Sequence, residues 1–234
     1  MDRPLSPPQR DAPGAPLKGQ TNIVEPDRIE RAIGRRSAES RATVPDLELS
    51  IDIDAGPLLE TAKREQASTT AILVAACAAA LREHPRANAA YRDGHFELYS
   101  RVNVAVTLQS ASSPVAATVL DADARSPAEL DAELTRLRAR ARAGELTPPE
   151  QAGSTFTLTD LGEYRIHRAA ALITPPQAAA LTAGAIRAVP VVRDGEVAPG
   201  QLLALTLVCD HRILFGAGAA GFLAAIAGRL ERGG

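Results

Sequence analysis

The chain has 234 residues, 45% of them hydrophobic, which is enough for one large domain or two small ones with a substantial core. The near balance of 26 basic and 28 acidic residues leaves a net charge of −2, so we predict no nucleic-acid partner. No run reaches the roughly 18 apolar residues of a membrane span. The N-terminus also lacks the apolar core of a secretory signal, so we predict a cytoplasmic protein without a membrane partner.

The N-terminal region predicts an arm followed by regular structure. Residues 1–24, rich in Pro, Gly and charge, are predicted to be a disordered arm, and residues 25–234 a folded domain. Glu25–Ser40 predicts an amphipathic helix with Ile29 and Ile33 on one side. The strict alternation of "DLELSIDIDA" predicts a half-buried strand. Its inward residues would be Leu47, Leu49, Ile51 and Ile53.

The middle of the chain predicts three helices and three strands. Ser and Thr residues start an almost wholly apolar helix that ends at Pro85. A capping box formed by Ser126 and Glu129, with Pro127 between them, starts a charged surface helix. The predicted helices are 56–66, 68–85 and 127–146, and the predicted strands are 94–100, 101–109 and 115–123.

The C-terminal third predicts a β-rich run over 154–162 and a hairpin turn at Asp194-Gly195. The continuous apolar run 201–209 is typical of a central strand covered on both faces. A small-residue helix over 216–231 follows. This mixture of elements predicts an α/β domain with a mixed central sheet flanked by helices.

His211 lies where the predicted central strand meets the last helix. Open α/β sheets bind ligands at such strand ends, and a neutral histidine suits general-base catalysis. A structural histidine bonded to the backbone is the alternative. Cys209 precedes it by two residues, but both Cys209 and Cys77 lie in apolar runs and favour buried core thiols over a nucleophile. No metal-ligand spacing links the other histidines, so we predict no metal.

The stretch "DHRILFGAGAAGFLAAIAGRLE" (210–231) resembles the C-terminal signature of the catalytic domain of dihydrolipoamide acyltransferases. These are the core enzymes of 2-oxoacid dehydrogenase complexes, and they share a fold with chloramphenicol acetyltransferase. The resemblance runs from about Arg28 to Glu231 and implies that α/β fold. Five further segments fall in the family's order: "RATVPDLELSIDID", "HPRANAAY", "GSTFTLTDLG", "ITPPQAAALTAGAI" and "VVRDGEV".

The resemblance implies roles for individual residues. His211 matches the catalytic histidine that takes the proton from the attacking thiol. Thr159, by itself an ordinary strand threonine, lies where the family has a hydroxyl that hydrogen-bonds the tetrahedral oxyanion. In the family these groups meet across a subunit interface of a homotrimer, with acetyl-CoA as co-substrate. Asp210 and Arg212 are expected to hold the loop rather than take part chemically.

Two departures qualify the resemblance. Phe215 stands where the family has Asp or Asn, and in chloramphenicol acetyltransferase-like sites an Asp there pairs with a distant arginine, by register Arg36, with Arg35 beside it. The phenyl ring either shapes an acceptor pocket or marks a loss of catalysis. The sequence also leaves no room for a lipoyl domain before the catalytic domain, so we expect no lipoyl group of its own.

Three functions follow from these observations. The first is acetyl transfer from acetyl-CoA to a hydroxyl of a small molecule, as in the stand-alone members of tetronate antibiotic assembly that this chain resembles. The second is acyl transfer to a lipoyl group carried by a separate protein. The third is an inactive structural core subunit.

Overall fold

A mixed sheet of seven strands forms the centre of the fold. The computed structural model describes residues 21–110, 113–193 and 195–233. The predicted arm lies largely outside these ranges, as does Asp194 of the predicted hairpin turn. The strands are β1 (Asp46–Asp54), β2 (Ala89–Arg92), β3 (His95–Leu98), β4 (Val104–Gln109), β5 (Pro114–Val119), β6 (Phe156–Asp160), β7 (Ala179–Ala183), β8 (Arg187–Arg193) and β9 (Glu196–Asp210).

The strand order is β1-β9-β7-β6-β4-β5, with β8 also paired to β9. The central strands β7, β6 and β4 run parallel, while β1, β8 and β7 pair antiparallel with β9 and β5 pairs antiparallel with β4. The sheet is therefore mixed, and β9 is an interior strand, as the sequence predicted. β2 and β3 form a separate two-stranded sheet.

Four helices cover one face of the large sheet. Their buried side chains form a single core with the inward residues of the strands, for example Leu73, Leu134 and Phe222 with Leu205 of β9. Within the described ranges, no helix is both long and apolar enough to cross a membrane. The helices are α1 (Arg28–Thr43), α2 (Gly56–Arg64), α3 (Thr69–Glu83), α4 (Pro127–Ala143) and α5 (Gly216–Arg232), and all but α1 contribute to this core.

The opposite face of the sheet carries small and hydroxyl-bearing side chains under the loop 161–178. Ile173 of that loop packs with Val208 of β9 and Val44. At Gly184, after β7, a Cβ atom would lie 2.0 Å from the carbonyl oxygen of His167, so only glycine lets the loop approach the sheet this closely.

The N-terminal helix differs from its prediction. It begins three residues later, because Asp27 and Glu30 form a reciprocal capping box, and it continues to Thr43. Ile29 and Ile33 share one side, as predicted, yet they are 44% and 41% exposed. The apolar side of α1 is therefore left largely exposed by the residues that the structure describes.

Candidate functional site

His211 occupies an exposed turn between β9 and α5. Its backbone N–H donates to the carbonyl oxygen of Pro45 at 2.9 Å, and the N–H groups of Ile213 and Leu214 donate to the carbonyl of Asp210 at 2.9 and 3.0 Å. No hydrogen bond to the imidazole itself is formed within the described part of the chain. The turn thus fixes the backbone of His211 and leaves both ring nitrogens open to solvent or a ligand.

Asp210 and Arg212 stabilise this turn through hydrogen bonds to each other. Asp210 is 2% exposed, and it accepts hydrogen bonds from the Arg212 backbone N–H and Nε, both at 2.9 Å. A terminal guanidinium nitrogen lies 2.6 Å from the other carboxylate oxygen, and this pairing raises the pKa of Arg212. The guanidinium also stacks over the ring of Tyr91, 4.7 Å from its centroid. Asp210 is therefore buried at the base of the turn, and the guanidinium of Arg212 is held between Asp210 and Tyr91.

Phe215 lies beside His211, with its ring centroid 6.0 Å from that of the imidazole and the two planes at 88°. The phenylalanine is 52% exposed and precedes α5 without capping it. A Cβ added to Gly216 or Gly218 would meet nothing within 4 Å. Close packing inside the chain is therefore not the reason for these two glycines, although they leave open space around the start of α5.

Thr159 lies on β6, on the sheet face opposite the core helices. Its hydroxyl oxygen is 2.9 Å from that of Thr107 on β4, in a half-buried hydroxyl pair. Thr107 is not among the site residues predicted from the sequence. The signal was present in the alternation of β4, because Thr107 interrupts the buried residues Val106 and Leu108 with a polar side chain on the other face.

His211 and Thr159 of one chain do not meet. The register places Thr159 opposite Thr182 of β7, and Thr182 opposite Thr206 of β9. Asp210 lies four residues beyond Thr206, roughly 13 Å along the strand, and β9 is two strand spacings of about 4.8 Å from β6. The end of β9 at Asp210, one residue before His211, therefore lies roughly 16 Å from Thr159, too far for both side chains to act on one carbonyl group.

Two other residues considered in the sequence lie apart from His211. Arg36 is exposed on α1, and no hydrogen bond or ion pair in the described ranges joins it to the His211 turn. Cys209 is buried in the core. Burial, with a smaller contribution from the charge of Asp210, raises the pKa of its thiol to about 11, so the nucleophilic thiolate is scarce at neutral pH.

Two pockets border Asp160 at the end of β6. One, of about 80 Å³, includes Thr107 and Arg138; the other, of about 250 Å³, lies between Leu58 and Leu203. Neither is lined by His211 or Thr159, so neither pocket of the single chain places these two side chains around a substrate.

The family model for the catalytic domain of the 2-oxoacid dehydrogenases acyltransferase matches residues 18–233. The chain belongs to this family. One relative, the dihydrolipoyllysine-residue acetyltransferase component of the pyruvate dehydrogenase complex of Rickettsia bellii, is 32% identical over 207 residues. That match covers 84% of this chain and 50% of the relative, so the chain spans about half the length of this curated relative.

Solved structures show the same fold. A probable dihydrolipoamide acetyltransferase from Listeria monocytogenes superposes with a TM-score of 0.85 at 26% identity, over 91% of this chain and 95% of that one. The Azotobacter vinelandii dihydrolipoamide acetyltransferase gives 0.86 at 22% identity, over 96% and 97%. Chloramphenicol acetyltransferase gives 0.55 at 14% identity, over 85% and 92%. The predicted fold class is confirmed.

Proposed function

We propose that this acyltransferase moves an acyl group between coenzyme A and a dihydrolipoyl group carried by a partner protein. The observation that carries the proposal is the exposed His211, whose backbone is fixed by the bond to Pro45 and whose ring is free. The name of the Rickettsia bellii relative favours a dihydrolipoyllysine acceptor over a small-molecule alcohol.

The active site in this proposal is shared between protomers. Because the end of β9 that carries His211 lies roughly 16 Å from Thr159 in one chain, each of the two residues must meet its counterpart from a neighbouring copy. A homotrimer with one site at each interface satisfies this requirement. The exposed Phe215 and the uncovered side of α1 are surfaces that such neighbours would cover.

The reaction needs one base and one oxyanion donor. The imidazole of His211 accepts the proton of the coenzyme A thiol, and the sulfur forms a bond to the carbonyl carbon of the acyl-dihydrolipoyl thioester. The hydroxyl of Thr159 donates to the resulting oxyanion. Collapse of the intermediate breaks the bond to the dihydrolipoyl sulfur, which takes the proton from the imidazolium, so no covalent enzyme intermediate is needed.

Phe215 distinguishes this site from that of a relative. The Azotobacter vinelandii structure was determined to investigate one serine, one histidine and one asparagine in the catalytic mechanism, with the asparagine four residues after the histidine. Here the residue four positions after His211 is Phe215, which offers an aromatic edge and no hydrogen-bonding group. In this proposal the ring packs against the imidazole and bounds the substrate path on that side.

The small-molecule acetyltransferase of the tetronate type stays a prediction that the relatives do not support. Both acceptors can be offered to the same protein. Acetyl-CoA with dihydrolipoamide, or with a domain whose lipoyl group is reduced, should release free coenzyme A, quantified by chromatography, faster than acetyl-CoA with an equal concentration of simple alcohols. His211→Ala should lower kcat by about 10²–10⁴, and Thr159→Val by about 10²–10³ with KM little changed.

These assays have outcomes that contradict the proposal. Faster acyl transfer to alcohols than to dihydrolipoamide would contradict the proposal and support the small-molecule function instead. Transfer to neither acceptor by a folded wild-type protein would favour an inactive core subunit. Unchanged turnover in His211→Ala would exclude the mechanism whichever acceptor is used.

A further inference from the structure

Five hydroxyl-bearing residues form one row across the open face of the sheet. The register pairs Ser50 with Thr206, Thr206 with Thr182, and Thr182 with Thr159, while Thr107 follows on β4. At each end of the row, two neighbouring hydroxyl groups form a hydrogen bond: Ser50 with Thr206 at 3.0 Å, and Thr107 with Thr159 at 2.9 Å. The hydroxyl of Thr182, in the middle, has no partner among the described residues.

The pair formed by Thr107 and Thr159 has two hydroxyl hydrogens and one bond between them. Each hydroxyl can donate once, so one hydrogen occupies the shared bond and the other stays available. The two threonines make no other side-chain hydrogen bond in the described ranges. Which of them has the available hydrogen therefore depends only on the direction of this single bond.

We propose that Thr107 donates to Thr159, so that the hydrogen of Thr159 is left for the oxyanion. This inference rests on the proposed role of Thr159 and names Thr107 as its positioning residue. With the opposite direction, Thr159 would donate its only hydroxyl hydrogen to Thr107 and have none left to donate to the substrate. A hydroxyl that accepts one hydrogen bond also becomes a stronger donor of its own.

The sheet holds Thr107 in place for this task. β4 lies between β5 and β6, so pairing on both sides fixes its backbone. Threonine is β-branched and has few accessible χ1 rotamers, which limits movement of its hydroxyl. Thr107 also borders the pocket near Asp160 and Arg138, and a direct contact of its hydroxyl with substrate is the competing role that the experiment must separate.

The test compares Thr107→Val, which keeps the shape and removes the hydroxyl, with Thr107→Ser, which keeps the hydroxyl. Thr107→Val should lower kcat about ten-fold, the worth of one hydrogen bond, with KM unchanged. Thr107→Ser should restore most of the rate. Thr206→Val is the matched control, because it removes a hydroxyl pair of the same kind from the same row without touching Thr159. It should lower the melting temperature comparably and leave kcat unchanged.

A double-variant cycle distinguishes positioning of Thr159 by Thr107 from direct contact of Thr107 with the substrate. In a Thr159→Val background, Thr107→Val should cause no further loss, because the hydroxyl that it positions is gone. A further ten-fold loss there would mean that Thr107 acts on substrate directly and would overturn the inference. Unchanged kcat in Thr107→Val, with a loss in Thr159→Val, would also overturn it. Unchanged kcat in Thr159→Val would instead overturn the proposed function.

Discussion

Mixing two inactive variants tests whether the site is built from neighbouring chains. His211→Ala retains Thr159, and Thr159→Val retains His211. If each site takes His211 from one protomer and Thr159 from the next, a mixed ring can assemble an intact site from two defective chains. The separation of roughly 16 Å in one chain between Thr159 and the end of β9 that carries His211 predicts this result.

The size of the effect follows from the closed ring. In a trimer with one heterologous interface repeated three times, every mixed ring has one intact site. Random mixing in equal amounts leaves about one quarter of all sites intact. Two preparations that are separately inactive should therefore recover about one quarter of wild-type activity per chain after co-refolding or co-expression.

The assay is coenzyme A-dependent acyl transfer, measured on the whole mixture of rings without selecting the mixed ones. The double variant His211→Ala/Thr159→Val, mixed with wild type, provides the complementary arm. A site shared between chains predicts about one quarter of intact sites here too, whereas a site within one chain predicts about one half. No recovery from the single variants, with about one half in the complementary arm, would refute the shared site.

Three further predictions concern the turn, the core and the aromatic ring. Asp210→Asn should lower the free energy of unfolding by about 1–3 kcal/mol, because the buried carboxylate that holds Arg212 loses its charge; urea denaturation at neutral pH measures this, and no loss would contradict the bracing role. Burial raises the pKa of the Cys77 thiol from 9.0 to about 12. The contribution of the neutral, buried thiol to the free energy of unfolding is therefore complete below pH 9 and is lost as the pH rises to 12. Over that interval the free energy of unfolding should fall more steeply in wild type than in Cys77→Ala, by up to about 1.4 kcal/mol per pH unit; equal slopes would mean that the thiol is not buried. Phe215→Asn should raise kcat roughly several-fold, since an amide beside His211 supplies the hydrogen-bonding group that a phenyl ring lacks; a lower kcat would show that the ring is adapted to this site.

Local signals in the sequence predicted most of the fold. The capping box of Ser126 and Glu129 starts α4 at the expected residue, since both reciprocal bonds involve neighbours in sequence. The alternation in β1 is confirmed, with Ile53 fully buried and Ser50 exposed on the other face. The pairing of Arg193 with Glu196 places β8 and β9 antiparallel on either side of the predicted turn, whose residue Asp194 lies outside the described ranges.

What the sequence missed depends on contacts between distant segments. β2 was not predicted, because its four residues are stabilised by pairing with β3 rather than by a pattern of their own. Thr107 was missed for a similar reason: its importance arises from a partner 52 residues away. Motif resemblance could single out Thr159 and His211, but only the strand register revealed how far apart they lie in one chain.

Several features that are unexplained within one chain become consistent if a neighbour covers them. Gly216 and Gly218 have open space where a Cβ would lie, and Phe215 is half-exposed beside His211. Glycine in the middle of a helix costs roughly 0.5–1 kcal/mol relative to alanine, and two of them in the first turn of α5 point to a benefit from outside the described residues. A substrate or a neighbouring backbone that approaches α5 closely would supply it. Gly218→Ala should therefore stabilise the isolated chain yet weaken trimer formation or substrate binding, and a variant that improves all three would contradict a shared site at α5.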